Sequence, residues 1–431
     1  MIDRSIHNRA DLETWQLERL NLLLAQVIAH NAFYREKFYG QSLPVRSLEE
    51  WKQFPITSKI ELSQKANSHG LAPHLTFPTN HYTRFHRTSG STGKPLIILD
   101  TPEDWEAWMD SWQFVLDAAS ISPLDVVFMA FSFGPFIGFW TAHDACLRRG
   151  CRVVPGGGLS TSARVDLIQD SGASVLFSTP SYALHLAETA KGKGIDPKNL
   201  GIRKLVVAGE PGGSIPSIRK RLEEAFDTNV TDHAGATEVG AWGVGTSDGS
   251  SLAIIESHFV AEFEPVPADT SLLSKSSSES RDGDLFELIL TNLNRIGAPA
   301  LRYRTGDMVR PGLVELESNG KMFSTRVLLG GILGRSDQMM TVRGVNVFPS
   351  AIEAIVRSFP EIGEYRLIAS RRGTRDELTI RIEDTNHDPM RLVEKLDTSL
   401  GLRIEVSEVP RGTLETFADK SKRFIDRRRE P

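Results

Sequence analysis

The sequence predicts an α/β protein with two parts: a large N-terminal unit of doubly wound β/α sheets plus a small β-barrel, and a small α+β unit at the C-terminus. Three observations predict it. Short apolar runs alternate with longer helical patterns between residues 126 and 232, as in a mainly parallel sheet covered on both faces. Two further apolar runs, 285–291 and 301–304, follow a Ser-rich stretch and read as strands of a small antiparallel barrel. From Gly334 onward a second alternation begins, of a length usual for a separate domain.

Taken in order, Leu17, Leu20, Leu24, Val27 and Ile28 fall at helical spacing, so residues 11–39 read as one amphipathic helix packed on the body. The segment continuing to Lys59 is assigned no chemistry, because a lysine among aromatics there belongs to surface and core by ordinary burial habits. Strands are predicted at 126–131, 151–154, 174–177, 205–208 and 230–232, with helices near 139–149, 163–171, 182–191 and 215–226. In open sheets of this kind ligands sit outside the carboxyl ends of the strands. Two polar stretches, Gly209-Glu210-Pro211 and Asp232 through Glu238, begin where predicted strands end. Residues 271–284 read as a solvated loop. In the last unit, strands at 340–342, 366–370, 378–382 and 404–406 alternate with helices near 351–358 and 390–400. The boundary is placed at Asp337, dividing the chain into 1–336 and 337–431.

Hydrophobic residues make up 40% and charged residues 24%, the balance of an ordinary globular protein. A formal net charge of -5 gives no reason to expect nucleic acid or an anionic membrane as partner. No apolar run approaches the length of a bilayer span, and the polar start lacks a signal peptide's apolar core, so a cytoplasmic location is expected. With only Cys146 and Cys151, neither a disulfide framework nor a four-thiolate zinc site can be assembled, and no structural metal is expected.

The stretch Thr88-Ser89-Gly90-Ser91-Thr92-Gly93-Lys94 turns tightly and offers backbone N–H groups, hydroxyls and a closing positive charge to an anion. That suits polyphosphate, although the common nucleotide loop places its hydroxyl after the lysine, and alone the stretch reads equally as a Ser/Gly turn before a strand. Four more pieces accompany it: Gly209-Glu210-Pro211, Asp232-His233-Ala234-Gly235-Ala236-Thr237-Glu238, Tyr303-Arg304-Thr305-Gly306-Asp307, and Gly334-Arg335-Ser336-Asp337 running into Arg343-Gly344 and Pro349. In this order they resemble the adenylate-forming superfamily of acyl-CoA synthetases, and within it the phenylacetate-CoA ligase branch. The resemblance runs from about Leu17 to Lys420.

It implies ATP-dependent activation of an aryl or arylacetic acid to an acyl-adenylate, followed by transfer to the thiol of CoA. Residues 88–94 would wrap the β- and γ-phosphates, Thr237 would bond the α-phosphate, and Glu238 would be the Mg²⁺ ligand, since Mg²⁺ takes one or two carboxylates plus phosphate oxygens. Read alone, Glu238 is also a helix N-terminal carboxylate. Asp307 would accept from the ribose hydroxyls and Arg335 would reach the same sugar or the phosphate, with Gly209, Glu210, Pro211, Asp232, His233 and Ala234 completing the nucleotide pocket. Ala234 departs from the family's aromatic residue, whose stacking on adenine is worth about 0.5–1.5 kcal/mol. His233 is the candidate substitute, although a lone histidine at a strand end is more often structural.

The resemblance also makes Lys420 the catalytic lysine bridging the acyl carboxylate and the α-phosphate, with Asp419 where the family has glycine; the plain alternative is a basic tail. Asp337 would be the hinge of a mobile C-terminal unit that swings Arg343 and Gly344 toward the thiol in the second half-reaction. The acyl pocket is sought at Phe131, Phe133, Gly134, Tyr182 and Ala208, with Tyr182 and His143 as its polar candidates, although any single phenylalanine here reads equally as plain core; no carboxylate or arginine reads as aimed at a charged substrate tail. The cysteine cluster of many branch members is missing between residues 313 and 331. Transfer to a carrier protein or to an amine or cofactor, and a non-catalytic adenylate-binding role, remain as alternatives, and a homodimer is the default assembly.

Overall fold

The computed structural model describes residues 8–88, 96–131, 133–135, 137–266, 285–318, 321–336, 340–342, 345–372, 375–400, 402–414 and 423–428. Nine strands form its main sheet, in the order Pro311–Ser318, Lys321–Leu329, Ser251–Ile254, Gly240–Gly245, Asn229–Ala236, Lys204–Ala208, Val175–Ser178, Val126–Met129 and Arg152–Pro155. The five from Asn229–Ala236 to Arg152–Pro155 run parallel to their neighbours. Their side chains alternate between two cores, as the period of a strand requires. Val127, Met129, Val175, Phe177 and Val206 face helices Pro102–Ala118 and Ile137–Arg149. Phe128, Leu176, Leu205, Val207 and Val230 face helices Thr161–Ser171, Pro180–Gly192 and Pro216–Phe226. The sheet is thus wound on both faces.

Three elements differ from expectation. The strand at 230–232 extends through Ala236, so the Asp232 motif lies inside a strand and only Thr237 and Glu238 emerge from its end. Helix Pro102–Ala118 has no counterpart in the sequence reading, although its signals are present: Thr101 and Asp104 form a reciprocal capping box, Pro102 starts the helix, and Trp105, Trp108, Trp112, Val115 and Leu116 line one face. The helix expected over 11–39 breaks into Arg9–His30 and Ala32–Lys37. Buried Asn31 makes the break: its N–H bonds the Val27 carbonyl, its Oδ1 accepts from Tyr34 N, and its Nδ2 donates to His74 O and Thr76 Oγ1.

The expected small barrel takes the form of an open five-stranded sheet, Thr57–Ser58, Tyr303–Val309, Phe286–Asn292 and Phe259–Pro265 in order, with Gly334–Arg335 also paired to Tyr303–Val309. Thr57 and Ser58 run parallel to Tyr303 and Arg304, which brings the N-terminal segment to the site. The C-terminal residues build their own core around a sheet ordered Glu405–Glu408, Arg375–Asp384, Ile362–Arg372 and Phe424–Asp426, with helices Pro349–Arg357 and Met390–Leu400. Among the described residues they touch the larger unit through Phe348 against Leu285 and Met308, Ser350 Oγ donating to Leu333 O at 2.8 Å, Ser217 Oγ to Ala354 O at 3.3 Å, and Arg221 Nη1 to Arg357 O at 3.4 Å. Asp337 and the loop expected at 271–284 lie outside the described residues.

Candidate active site

The carboxyl end of Asn229–Ala236 delivers Glu238 into a buried position, 6% exposed, where a lone carboxylate would be costly. Two partners compensate. Lys59, at the start of helix Lys59–Gln64 and directly after the strand paired to Tyr303–Arg304, places its Nζ 3.0 Å from Glu238 Oε1. The Tyr303 hydroxyl bonds the same carboxylate, and burial followed by the Glu238 charge pushes that phenol well above its ordinary range. Lys59, assigned no chemistry from the sequence, therefore stands at the centre of the site.

The same strand, Tyr303–Val309, carries Asp307, which lies across the ladder from Arg335 and meets its Nη1 at 3.2 Å. Arg335 Nη1 also donates to Thr305 O at 3.1 Å. Gly306 turns here with φ +79°, and a Cβ on it would stand 2.8 Å from Arg335 Nη2, so glycine is required for the guanidinium to lie over the strand.

Beneath Thr237 and Glu238 lies a buried support that sequence reasoning missed. Arg295, 1% exposed, donates from Nη1 to both carbonyls at 3.1 and 3.0 Å, and its Nη2 lies 2.6 Å from Asp100 Oδ1. Burial pushes the Asp100 carboxyl up, but the Arg295 charge and the His86 and Trp108 contacts win and hold it below the usual range. Asp104 accepts from the N–H groups of Ile296, Gly297 and Ala298, fixing the turn that carries Arg295.

Asp232 and His233 have structural partners. Asp232 accepts from Ser214 Oγ at 2.7 Å and from His233 N at 3.0 Å, and burial raises its pKa to about 6. A Cβ on Gly213 would stand 2.5 Å from the Asp232 side chain, so the segment after Pro211 packs directly on the strand. His233 bonds Gly243 O at 2.8 Å and lies 4.2 Å from Trp112, and burial lowers its pKa to about 4. Its ring is committed to the core, which takes it out of adenine stacking. Ala234 is buried opposite Gly243. Gly209 turns with φ +89°, and Glu210 accepts from Ser181 N at 2.6 Å, which makes it a cap on helix Pro180–Gly192.

On the acyl side, Phe131 is buried in the core under helix Ile137–Arg149, whereas Phe133 is half-buried, edge-on to Trp140 at 4.9 Å and to His143 at 5.7 Å. Gly134 O accepts from Trp140 Nε1. His143 Nδ1 lies 2.9 Å from Asp144, which also accepts from Trp105 Nε1 and Arg84. Tyr182 is 9% exposed with its hydroxyl 3.1 Å from Thr161 Oγ1, and Ala208 pairs with His233 across the sheet. Thr88 closes the base of the expected phosphate loop, its Oγ1 accepting from Leu96 N. Ser89, Gly90, Ser91, Thr92, Gly93, Lys94, Arg343, Gly344 and Lys420 lie outside the described residues.

A carboxylate–cation pair at the end of a parallel strand and an Asp–Arg pair on the neighbouring sheet accompany similarity to adenylate-forming enzymes. A family model described as AMP-binding enzyme C-terminal domain matches residues 344–428. Phenylacetate-coenzyme A ligase of Pseudomonas putida is 30% identical over 97% of this chain and 94% of its own length, and that of Thermus thermophilus 31% identical over 87% and 82%. Among solved structures, 2-hydroxyisobutyryl-CoA ligase in the postadenylation state aligns at 26% identity with a TM-score of 0.85, covering 97% of this chain and 90% of that one. In its thioesterification state the same enzyme aligns with a TM-score of 0.69, covering 98% and 91%. The chain belongs to the phenylacetate-CoA ligase family of AMP-forming acid–CoA ligases.

Proposed function

We propose that this chain activates an aryl or arylacetic acid with ATP and transfers the acyl group to the thiol of CoA, within the cytoplasm. The observation that carries the reading is the convergence of Lys59, Glu238, Tyr303, Asp307 and Arg335 from four distant stretches onto one polar wall. The pairing of the Lys59 ammonium with the buried Glu238 carboxylate supports a cation at this position; with phosphate oxygens Glu238 would fit Mg²⁺, which would screen the triphosphate.

In the first half-reaction the acid's carboxylate oxygen attacks the α-phosphorus and pyrophosphate leaves. Thr237 presents its hydroxyl to the α-phosphate while Arg295 fixes its carbonyl from below, so the group is held before charge develops. Asp307 accepts from the ribose hydroxyls, and Arg335 orients that carboxylate. Lys420 bridges the acyl oxygen and the α-phosphate. In the second half-reaction the thiolate attacks the acyl carbon and AMP leaves, after the unit beginning at Asp337 turns Arg343 and Gly344 toward the site. The higher similarity to a postadenylation-state relative supports a first-half-reaction arrangement here.

The test is pyrophosphate exchange with a panel of aryl acids, followed by thioester formation with CoA. Acid-dependent exchange and CoA consumption are expected, with loss of exchange in Lys420→Ala. Exchange undiminished in that variant removes Lys420 from the mechanism. Pyrophosphate release without CoA consumption removes CoA as acceptor.

A further inference from the structure

Arg164 is a buried cation with no carboxylate partner among the described residues. It is 6% exposed, in the first turn of helix Thr161–Ser171, where the helix dipole adds to its cost. Its Nε donates to Gly156 O at 2.7 Å, and its guanidinium carbon lies 4.9 Å from the centroid of the Tyr182 ring. These contacts orient the group without neutralising it.

Its surroundings tie it to the acyl side of the crevice. Gly156 and Gly157 follow strand Arg152–Pro155, and a Cβ on Gly157 would stand 2.9 Å from Phe133 Cδ2 and 3.3 Å from Phe131 O. The turn that accepts from Arg164 is therefore the turn against which Phe133 packs. Tyr182, under the guanidinium, reaches Thr161 Oγ1 in the same helix turn as Arg164. Two aromatic residues expected to hold the acyl group are thus joined by one uncompensated donor group.

We propose that Arg164, oriented by Tyr182 and Gly156, is a specificity-determining residue that binds an oxygen acceptor at the far end of the acid. Guanidinium has donors only, so the substituent it selects is a carboxylate, a carbonyl or a hydroxyl oxygen. This rests on the acid-activating reading and narrows it from aryl acids in general to oxygen-substituted ones.

The experiment measures pyrophosphate exchange by the wild type, Arg164→Met and Arg164→Lys with phenylacetate and its para-hydroxy and para-carboxy derivatives. A charge-assisted hydrogen bond to the substituent predicts a preference of about tenfold or more in kcat/KM for one oxygenated acid. In Arg164→Met that preference should shrink to within about twofold while the KM for ATP stays put, and Arg164→Lys should keep part of it. A wild type that favours phenylacetate itself overturns the proposal. So does an Arg164→Met variant that loses the same factor with every acid, which would mark a purely structural role; if that variant does not fold, Arg164→Lys carries the comparison. Should no acid support exchange, the activation reading fails separately. Thermal shifts with the same acids then decide on Arg164, which stands only if the oxygenated acids raise the melting temperature of the wild type and not of the variant.

Discussion

The two walls of the crevice treat buried charge in opposite ways. On the wall proposed for the nucleotide three charges are matched: Glu238 by Lys59, Asp307 by Arg335, and Arg295 by Asp100. On the wall proposed for the acid the packing is aromatic, and Arg164 lies over a ring with no carboxylate partner among the described residues. Matched charges resist change in the resting protein and must be re-partnered when a ligand arrives. An unmatched one waits for the ligand. The walls therefore predict different penalties for mutation, heavy and general on one, modest and substrate-dependent on the other.

The sharpest way to break this contrast is Arg295→Met. It strands Asp100 and frees the carbonyls under Thr237 and Glu238, so we expect a loss of about 3–5 kcal/mol in denaturant unfolding together with loss of exchange activity. Unaltered stability would mean that the nucleotide wall tolerates an unmatched charge after all. Next comes Glu238→Gln, for which exchange should fall about a hundredfold with the melting temperature little changed, as for removal of one electrostatic contact at a reacting phosphate.

Asp232 supplies a test of an intermediate size, because it is a buried carboxylate on the nucleotide side held by hydrogen bonds alone in close contact. Its folded-state pKa is raised to about 6, so folding favours its protonated form. That stabilisation is fully present below the ordinary carboxylate pKa and is lost as pH rises through about 6. Urea unfolding of the wild type should show stability falling by about 3 kcal/mol across that window, and Asp232→Asn should flatten the fall. The smallest effect is expected from Lys59→Met. With its ammonium gone, the KM for ATP should rise about tenfold in steady-state exchange while the KM for the acid holds.

Legibility followed sequence distance and local periodicity. Asp307 and Arg335 were both marked by their motifs, and the ladder pairing that joins them needs only neighbouring strands. Lys59 reaches Glu238 through a two-residue strand paired in parallel with residues far along the chain, a geometry that leaves no local pattern to read. Arg295 sits in an irregular turn whose importance appears only once Asp104 is seen to hold it. Helix Pro102–Ala118 carries a capping box and an apolar face, both local signals, but lies between two more conspicuous stretches. For His233 the sequence leaves a stacking and a structural role open, and the strand's extension through Ala236, which sets the ring against Trp112, favours the structural one.

That contact has a spectroscopic use. Trp112 lies 4.2 Å from an imidazole whose pKa is lowered to about 4, so the ring beside the indole is neutral at physiological pH. Because His233 shares its strand with Ala234 and stands just ahead of Thr237, repacking around the motif would alter the environment of the indole and shift its emission. In a variant that keeps Trp112 as its single tryptophan, that emission would report on the motif by stopped-flow.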